Sequence, residues 1–140
     1  MNLPVARMLA EYPSTREASA PWCLRPGEAT RLLAGHPWRR FVALGDSIAA
    51  GLGDPVAGYL PLPWVDRIAA ELAATADGEF EYLNLGRRDL RAAEIRARQL
   101  PDAVAFRPDL ALVSCGANDA LRHWYDPAAV NAELAAIVTA

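Results

Sequence analysis

Short unbroken apolar runs alternate along the chain with segments in which apolar residues recur every three or four positions. The run Phe41-Val42-Ala43-Leu44 stops at Gly45-Asp46, the pattern of a buried strand that ends in a tight turn. Residues 63–74 put Val65, Ile68, Ala69, Leu72 and Ala73 on one side of a helix and Asp66, Arg67 and Glu71 on the other. A second strand is predicted over Glu81–Leu85, then a charged, moderately helical segment over 90–100 ended by Pro101, then a third strand over Leu110–Ser114. Asp126 and Pro127 predict a helix N-cap and first turn, after which Val130, Leu134, Ile137 and Val138 line one face. Upstream, Pro4, Pro13, Pro21, Pro26 and Pro37 interrupt any periodicity, so residues 1–40 are expected to form an extended or loosely helical lead-in. One short helix is expected there, around Glu28–Leu33.

Strands that alternate with helices imply a parallel sheet with right-handed crossovers, helices on its faces, and ligands bound beyond the carboxyl ends of the strands. Three polar turns fall at that edge: Gly45-Asp46-Ser47, Gly86-Arg87-Arg88-Asp89 and Gly116-Ala117-Asn118-Asp119.

Composition narrows the classes. With 140 residues, 53% of them apolar, the chain can bury one core, so one domain over 41–140 behind its lead-in is the expectation. The formal charge is −3 and the arginines are scattered, which argues against a nucleic-acid partner. Cys23 and Cys115 are too far apart in sequence to suggest a zinc knuckle and too few for a disulfide framework, so a reduced, cytoplasmic protein is expected. Pro4, Arg7 and Glu11 break up the first residues, and no run approaches membrane-spanning length.

A serine on a glycine-relieved turn directly after a buried strand presents its hydroxyl at the sheet edge and leaves its amide free to donate, which suits attack on an acyl carbon. Ser47 has that setting. Asn118, at the end of the expected neighbouring strand, carries a side-chain amide able to donate to the resulting oxyanion. The plainer alternative is that both segments are ordinary turns whose Asp, Ser and Asn cap the next segment of chain.

The stretches Phe41–Ser47, Asn84–Asp89, Pro108-Asp109-Leu110 and Gly116–Asp119 together resemble the first three sequence blocks of the SGNH (GDSL) hydrolases, most of all the actinobacterial type of GDSL esterase. The resemblance covers roughly residues 41–135. It implies a three-layer α/β/α, flavodoxin-like fold, an ester hydrolase acting on a small-molecule ester, Ser47 as nucleophile, and no cofactor. It also implies an oxyanion hole made from the Ser47 amide, a second-block glycine amide and the Asn118 side chain. Ile48-Ala49 after Ser47 sets the chain apart from the G-x-S-x-G elbow of α/β-hydrolases.

Two departures stand out. The family's oxyanion glycine lies five residues after the second-block Asn, and counting from Asn84 reaches Asp89; Gly86 is the alternative donor. The family's base, a His in a late D-x-x-H block, has no counterpart, and the only histidines are His36 and His123. His36 reads as a packing residue of the lead-in, while His123, with Asp46 and Asp119, is a candidate for the substrate rim. Asp119 and His123 at i, i+4 lack a third ligand, so no metal is expected. A partial hydrolase domain, cut after the third strand and its following helix, is therefore the expectation, with a third-strand edge open to self-association or complementation. A catalytically inactive binding module is the competing expectation.

Gly51-Leu52-Gly53-Asp54 lacks the further glycine or Gly-Lys pair of a nucleotide loop. Trp64, Trp124 and Tyr125 are candidate pocket aromatics, and Arg87, Arg88 and Arg91 a basic cluster best explained as a solvated helix start.

Overall fold

A computed structural model describes residues 15–25 and 27–140 of the chain. Residues 1–14 of the expected lead-in, and Pro26 within it, lie outside the described residues. The elements run α1 (Thr15–Ser19), α2 (Glu28–Leu33), β1 (Arg40–Gly45), α3 (Trp64–Thr75), β2 (Glu81–Asn84), α4 (Ala92–Phe106), β3 (Leu110–Ser114), α5 (Ala117–Ala120) and α6 (Pro127–Val138). All strands are parallel, in the order β2-β1-β3. The chain is thus an α/β protein with β1 central, and the carboxyl ends of all three strands share one edge.

Alternation along β1 divides the core in two. Phe41 and Ala43 face Val65, Ala69 and Leu72 of α3, with Leu33, Trp38 and Tyr82 packed around them. Val42 and Leu44 face the other layer, where Leu90, Ile95 and Ala103 of the α4 side and Ile137 of α6 meet them. β1 is buried on both faces, which explains its unbroken apolar run. Tyr82 on β2 ties the first layer to the sheet by donating to Asp66 on α3 at 2.7 Å.

Both ends of β1 are pinned by side chains. At its entry the Asp109 carboxylate accepts from the Arg39 and Arg40 amides at 2.7 and 2.9 Å, and the Arg40 guanidinium donates twice to the Phe106 carbonyl. These bonds set the register of β1 against β3, beginning at Phe41 opposite Leu110. At its exit, Gln99 of α4 closes a pair of bonds with Gly45: the Gly45 amide donates to Oε1 at 2.8 Å and Nε2 donates to the Gly45 carbonyl at 2.9 Å. Gln99 is only 2% exposed. A buried amide is tolerated because its donor and acceptor are both satisfied.

Several expectations need correction. Pro101 does not end the helix, which continues to Phe106. The missing bond falls between exposed Ala97 and exposed Pro101, where water reaches the freed carbonyl, while Ile95, Gln99 and Ala103 hold the helix to the sheet. On α6, Val130 and Ile137 are buried but Val138 is 74% exposed and does not belong to the inward face. β2 ends at Asn84 rather than Leu85, although the Leu85 amide still donates to the Ala43 carbonyl at 2.8 Å. Asp126 and Pro127 cap α6 as their sequence predicts, with the Asp126 carboxylate accepting from the Ala128 and Ala129 amides.

The lead-in also carries a buried charge that its proline-rich sequence gives no hint of. Glu17 on α1 is 7% exposed, accepts from the Leu60 amide at 2.9 Å and pairs with Arg67 of α3. Burial alone would raise the Glu17 pKa, but the Leu60 amide and the Arg67 guanidinium outweigh it and hold the carboxyl below its ordinary value of 4.5. A lowered folded pKa adds stability that is present above the ordinary value and lost as pH falls through the lowered one. Acid denaturation of Glu17→Gln is therefore expected to show a shallower loss of stability below about pH 4.5 than wild type, and identical slopes would refute this. Gln99→Leu, which orphans the buried Gly45 amide, is expected to cost about 1–3 kcal/mol in urea denaturation; an unchanged midpoint would contradict it.

Candidate functional site

Close approaches at two glycines bring the three strand-end turns together. At Gly45, φ is +152° and a Cβ would lie 2.2 Å from the Ser114 carbonyl oxygen, so only glycine lets the β1 turn press against the end of β3. At Gly86 a Cβ would lie 2.4 Å from the Ala50 amide nitrogen, so the loop after β2 packs directly on the turn that carries Ser47. Asn84 reinforces that contact: its Nδ2 donates to the Ala49 carbonyl and its Oδ1 accepts from the Gly86 amide, both at 2.9 Å.

Ser47 sits on the resulting helical turn, part-exposed, with the Ala50 amide donating to the Asp46 carbonyl and the Leu52 amide to the Ser47 carbonyl. Among the described residues, neither the Ser47 hydroxyl nor its amide has a hydrogen-bond partner in the protein. Asp46 is not on the rim: it is 1% exposed, accepts from the Ile48 amide at 2.9 Å and faces Asn118 Nδ2 at 3.4 Å. Its place is beneath the turn, holding Ser47 up.

Asn118 bridges the other two loops. Its Nδ2 donates to the Leu90 carbonyl at 2.9 Å, and its second proton faces Asp46 across the long 3.4 Å contact. The neighbours of those two partners are Asp89 and Ser47, so one side-chain amide joins all three turns. Asp89 stands at φ +65°, a left-handed conformation that Asp adopts more readily than most non-glycine residues. Its carboxylate is exposed beside Arg88, 3.8 Å away, and its amide has no acceptor among the described residues. The Gly86 amide is already committed to Asn84.

The remaining candidates lie elsewhere. Asp119 is half-buried, and its carboxylate accepts from the Ala92 amide at 2.9 Å at the first turn of α4, which needs such an acceptor. His123 is exposed on the segment between α5 and α6 and makes no hydrogen bond among the described residues. His36 is buried, donating from Nε2 to the Leu72 carbonyl at 2.9 Å and stacked on Trp38, in keeping with a packing residue. Trp124 and Tyr125 are exposed, whereas Trp64 donates from Nε1 to the Ile48 carbonyl at 2.7 Å and so stands beside the serine turn. Burial, with the nearby Asp119 and Asp46 charges adding to it, pushes the Cys115 thiol up, so it stays protonated and is no rival nucleophile.

Gln99 is the residue that sequence reading overlooks. The signal is present in the spacing: Ala92, Ile95, Gln99 and Ala103 form the buried stripe of α4, and a lone neutral polar residue on such a stripe must find bonds inside. The assembled groups offer a hydroxyl, two unengaged backbone amides and a side-chain amide at one end of the sheet, the parts that attack on an acyl carbon requires.

The GDSL-like lipase/acylhydrolase family model matches residues 43–140. Among solved structures, a lipase/acylhydrolase from Enterococcus faecalis is similar at 27% identity and a TM-score of 0.58, over 72% of this chain and 51% of that one. The chain spans about half the length of that structure. No curated protein is a match. Among the described residues no helix is long and apolar enough to cross a membrane.

Gly45→Ala combines a strained φ with a backbone clash, and a loss of about 3 kcal/mol or more is expected. Urea denaturation checks this, and a wild-type midpoint would show that the turn is not held as described.

Proposed function

The chain belongs to the GDSL-like lipase/acylhydrolase family, and from that premise we propose that it hydrolyses a small acyl ester with Ser47 as the nucleophile. The hydroxyl oxygen of Ser47 attacks the acyl carbon, and the charge that develops on the carbonyl oxygen is met by the Ser47 amide, the Asp89 amide and the Asn118 side chain. Asp89 is preferred over Gly86 because the Gly86 amide already donates to Asn84. Asp89 already holds the left-handed φ that a glycine would adopt, and its carboxylate is turned to solvent and Arg88. Asn118 supplies the proton now facing Asp46, since a 3.4 Å contact is readily exchanged for a shorter bond to an anion.

The observation that carries this reading is the Asn118 bridge, which joins the Ser47 and Asp89 turns through one side chain. The general base is the part this chain does not present. His36 is packed against Leu72, and His123 makes no hydrogen bond to Ser47. A histidine from outside the two is assigned the role, and the open edge of β3 is where a complementing strand would bring it. That same lack favours a second reading, a catalytically inactive binding module.

Incubation with a fluorophosphonate probe and with p-nitrophenyl acetate separates the two. Labelling and turnover are expected in wild type, absent in Ser47→Ala, and increased by added imidazole standing in for the base. Asn118→Ala is expected to lower the Ser47-dependent rate by about 10²–10³-fold. Labelling and turnover indifferent to Ser47→Ala, with and without imidazole, would overturn the hydrolase reading and leave the binding module.

A further inference from the structure

Beside the serine turn lies a cleft of about 810 Å³ that the attack itself does not use. Ile48, the loop over residues 51–63 and Trp22 of the lead-in all contribute to its lining. Its walls include Leu52, Val56 and Trp64, large apolar groups that are 42–58% exposed. Trp22 itself is 77% exposed. So many exposed apolar side chains facing one space mark a binding surface rather than an ordinary solvated one. Asp54 is the one charged residue among the described lining residues, so the cleft offers no cation to an anionic group.

The cleft is held open by structure rather than by chance. Pro55, Pro61 and Pro63 stiffen the loop, and α1 straps it, with the Glu17 amide donating to the Gly58 carbonyl at 3.0 Å and the Glu17 carboxylate accepting from the Leu60 amide. The turn that presents Trp22 is closed by the Cys23 amide donating to the Ala20 carbonyl at 3.1 Å. A preformed apolar cleft of this size lies within the roughly 300–1,000 Å³ of small-molecule sites, and preorganisation removes part of the ordering cost of binding.

We infer that this cleft seats the unbranched, uncharged acyl chain of a medium-chain ester, with Trp22 of the lead-in as the end wall that sets chain length. The inference rests on the hydrolase reading for the position of the ester carbonyl, which Ser47 holds at the mouth beside Ile48. Short acyl groups would leave the cleft empty. Each further methylene placed in it is worth roughly fourfold in affinity.

The test reads binding apart from turnover. Bromine quenches indole fluorescence on contact, so the whole chain is titrated with ω-bromodecanol, ω-bromohexanol and bromoethanol. Saturable quenching is expected for the decanol, with affinity falling roughly fourfold per methylene removed. Trp22→Ala is expected to remove most of the amplitude and weaken decanol binding about tenfold, and Leu52→Asp to abolish it. Trp124→Ala, outside the cleft, should change neither. Trp22 and Leu52 are both exposed, so these variants leave the core intact. Quenching without chain-length dependence, or unaltered by Trp22→Ala and Leu52→Asp, overturns the assignment. Chain-length-dependent binding without Ser47-dependent labelling upholds the cleft and overturns the hydrolase reading; labelling without such binding does the reverse.

Discussion

The pair of hydrogen bonds between the Gln99 side chain and the Gly45 backbone is the constraint on which the rest of the site depends. Gly45 is where β1 stops being a strand, and a strand end with unsatisfied buried groups would fray or shift. The Gln99 amide satisfies the Gly45 amide from the helix layer, while the Gly45 carbonyl also accepts from the Arg87 amide at 3.1 Å. One residue therefore ties α4, β1 and the loop after β2 together. Each bond contributes about 1 kcal/mol net, but the larger effect is geometric: the turn carrying Ser47 leaves the sheet at one fixed place and angle.

From that fixed point, contact distances decide what lies next to what. The missing side chain at Gly45 lets Ser114 approach, and the one missing at Gly86 lets the second loop rest on the Ala49-Ala50 backbone. Asn118 then spans the gap between Asp46 and Leu90. The carboxylates nearest the site are kept from opposing an anion in different ways. Asp46 is turned beneath the turn toward Ile48 and Asn118, Asp119 is given to the first turn of α4, and Asp89 is turned to water. The surface of the site is left with a set of neutral donors, the kind of surface that the proposed reaction calls for.

The lead-in belongs to the same logic. Glu17 buries a charge only because Arg67 and the Leu60 amide meet it, and the ion pair fastens a segment of low local propensity onto the loop next to Ser47. Trp22 and the loop over residues 51–63 thereby stand beside the turn that carries Ser47 without being part of the sheet.

Much of this was legible in the residues themselves. The strands, the helix over 63–74 and the Asp126-Pro127 cap arise from local chemistry and periodicity, and GDS with GAND at two strand ends pointed to the edge where the three turns meet. Those features are local: burial on both faces writes an apolar run, and a cap writes Asp before Pro. The functions of Asp119 and Gln99, and the contact of Asp46 with Asn118, were not legible, since each is decided by a partner 27, 54 or 72 residues away whose approach depends on packing. Pro101 misled because its cost is local while the packing that overrides it is not. By itself, then, the sequence determined the elements, their order and the serine's place at a strand end. Only the tertiary structure decided which carboxylates are structural and which amides stay unengaged, because a hydrogen-bonding group has no fixed role until folding brings its partner within about 3 Å or leaves it to solvent.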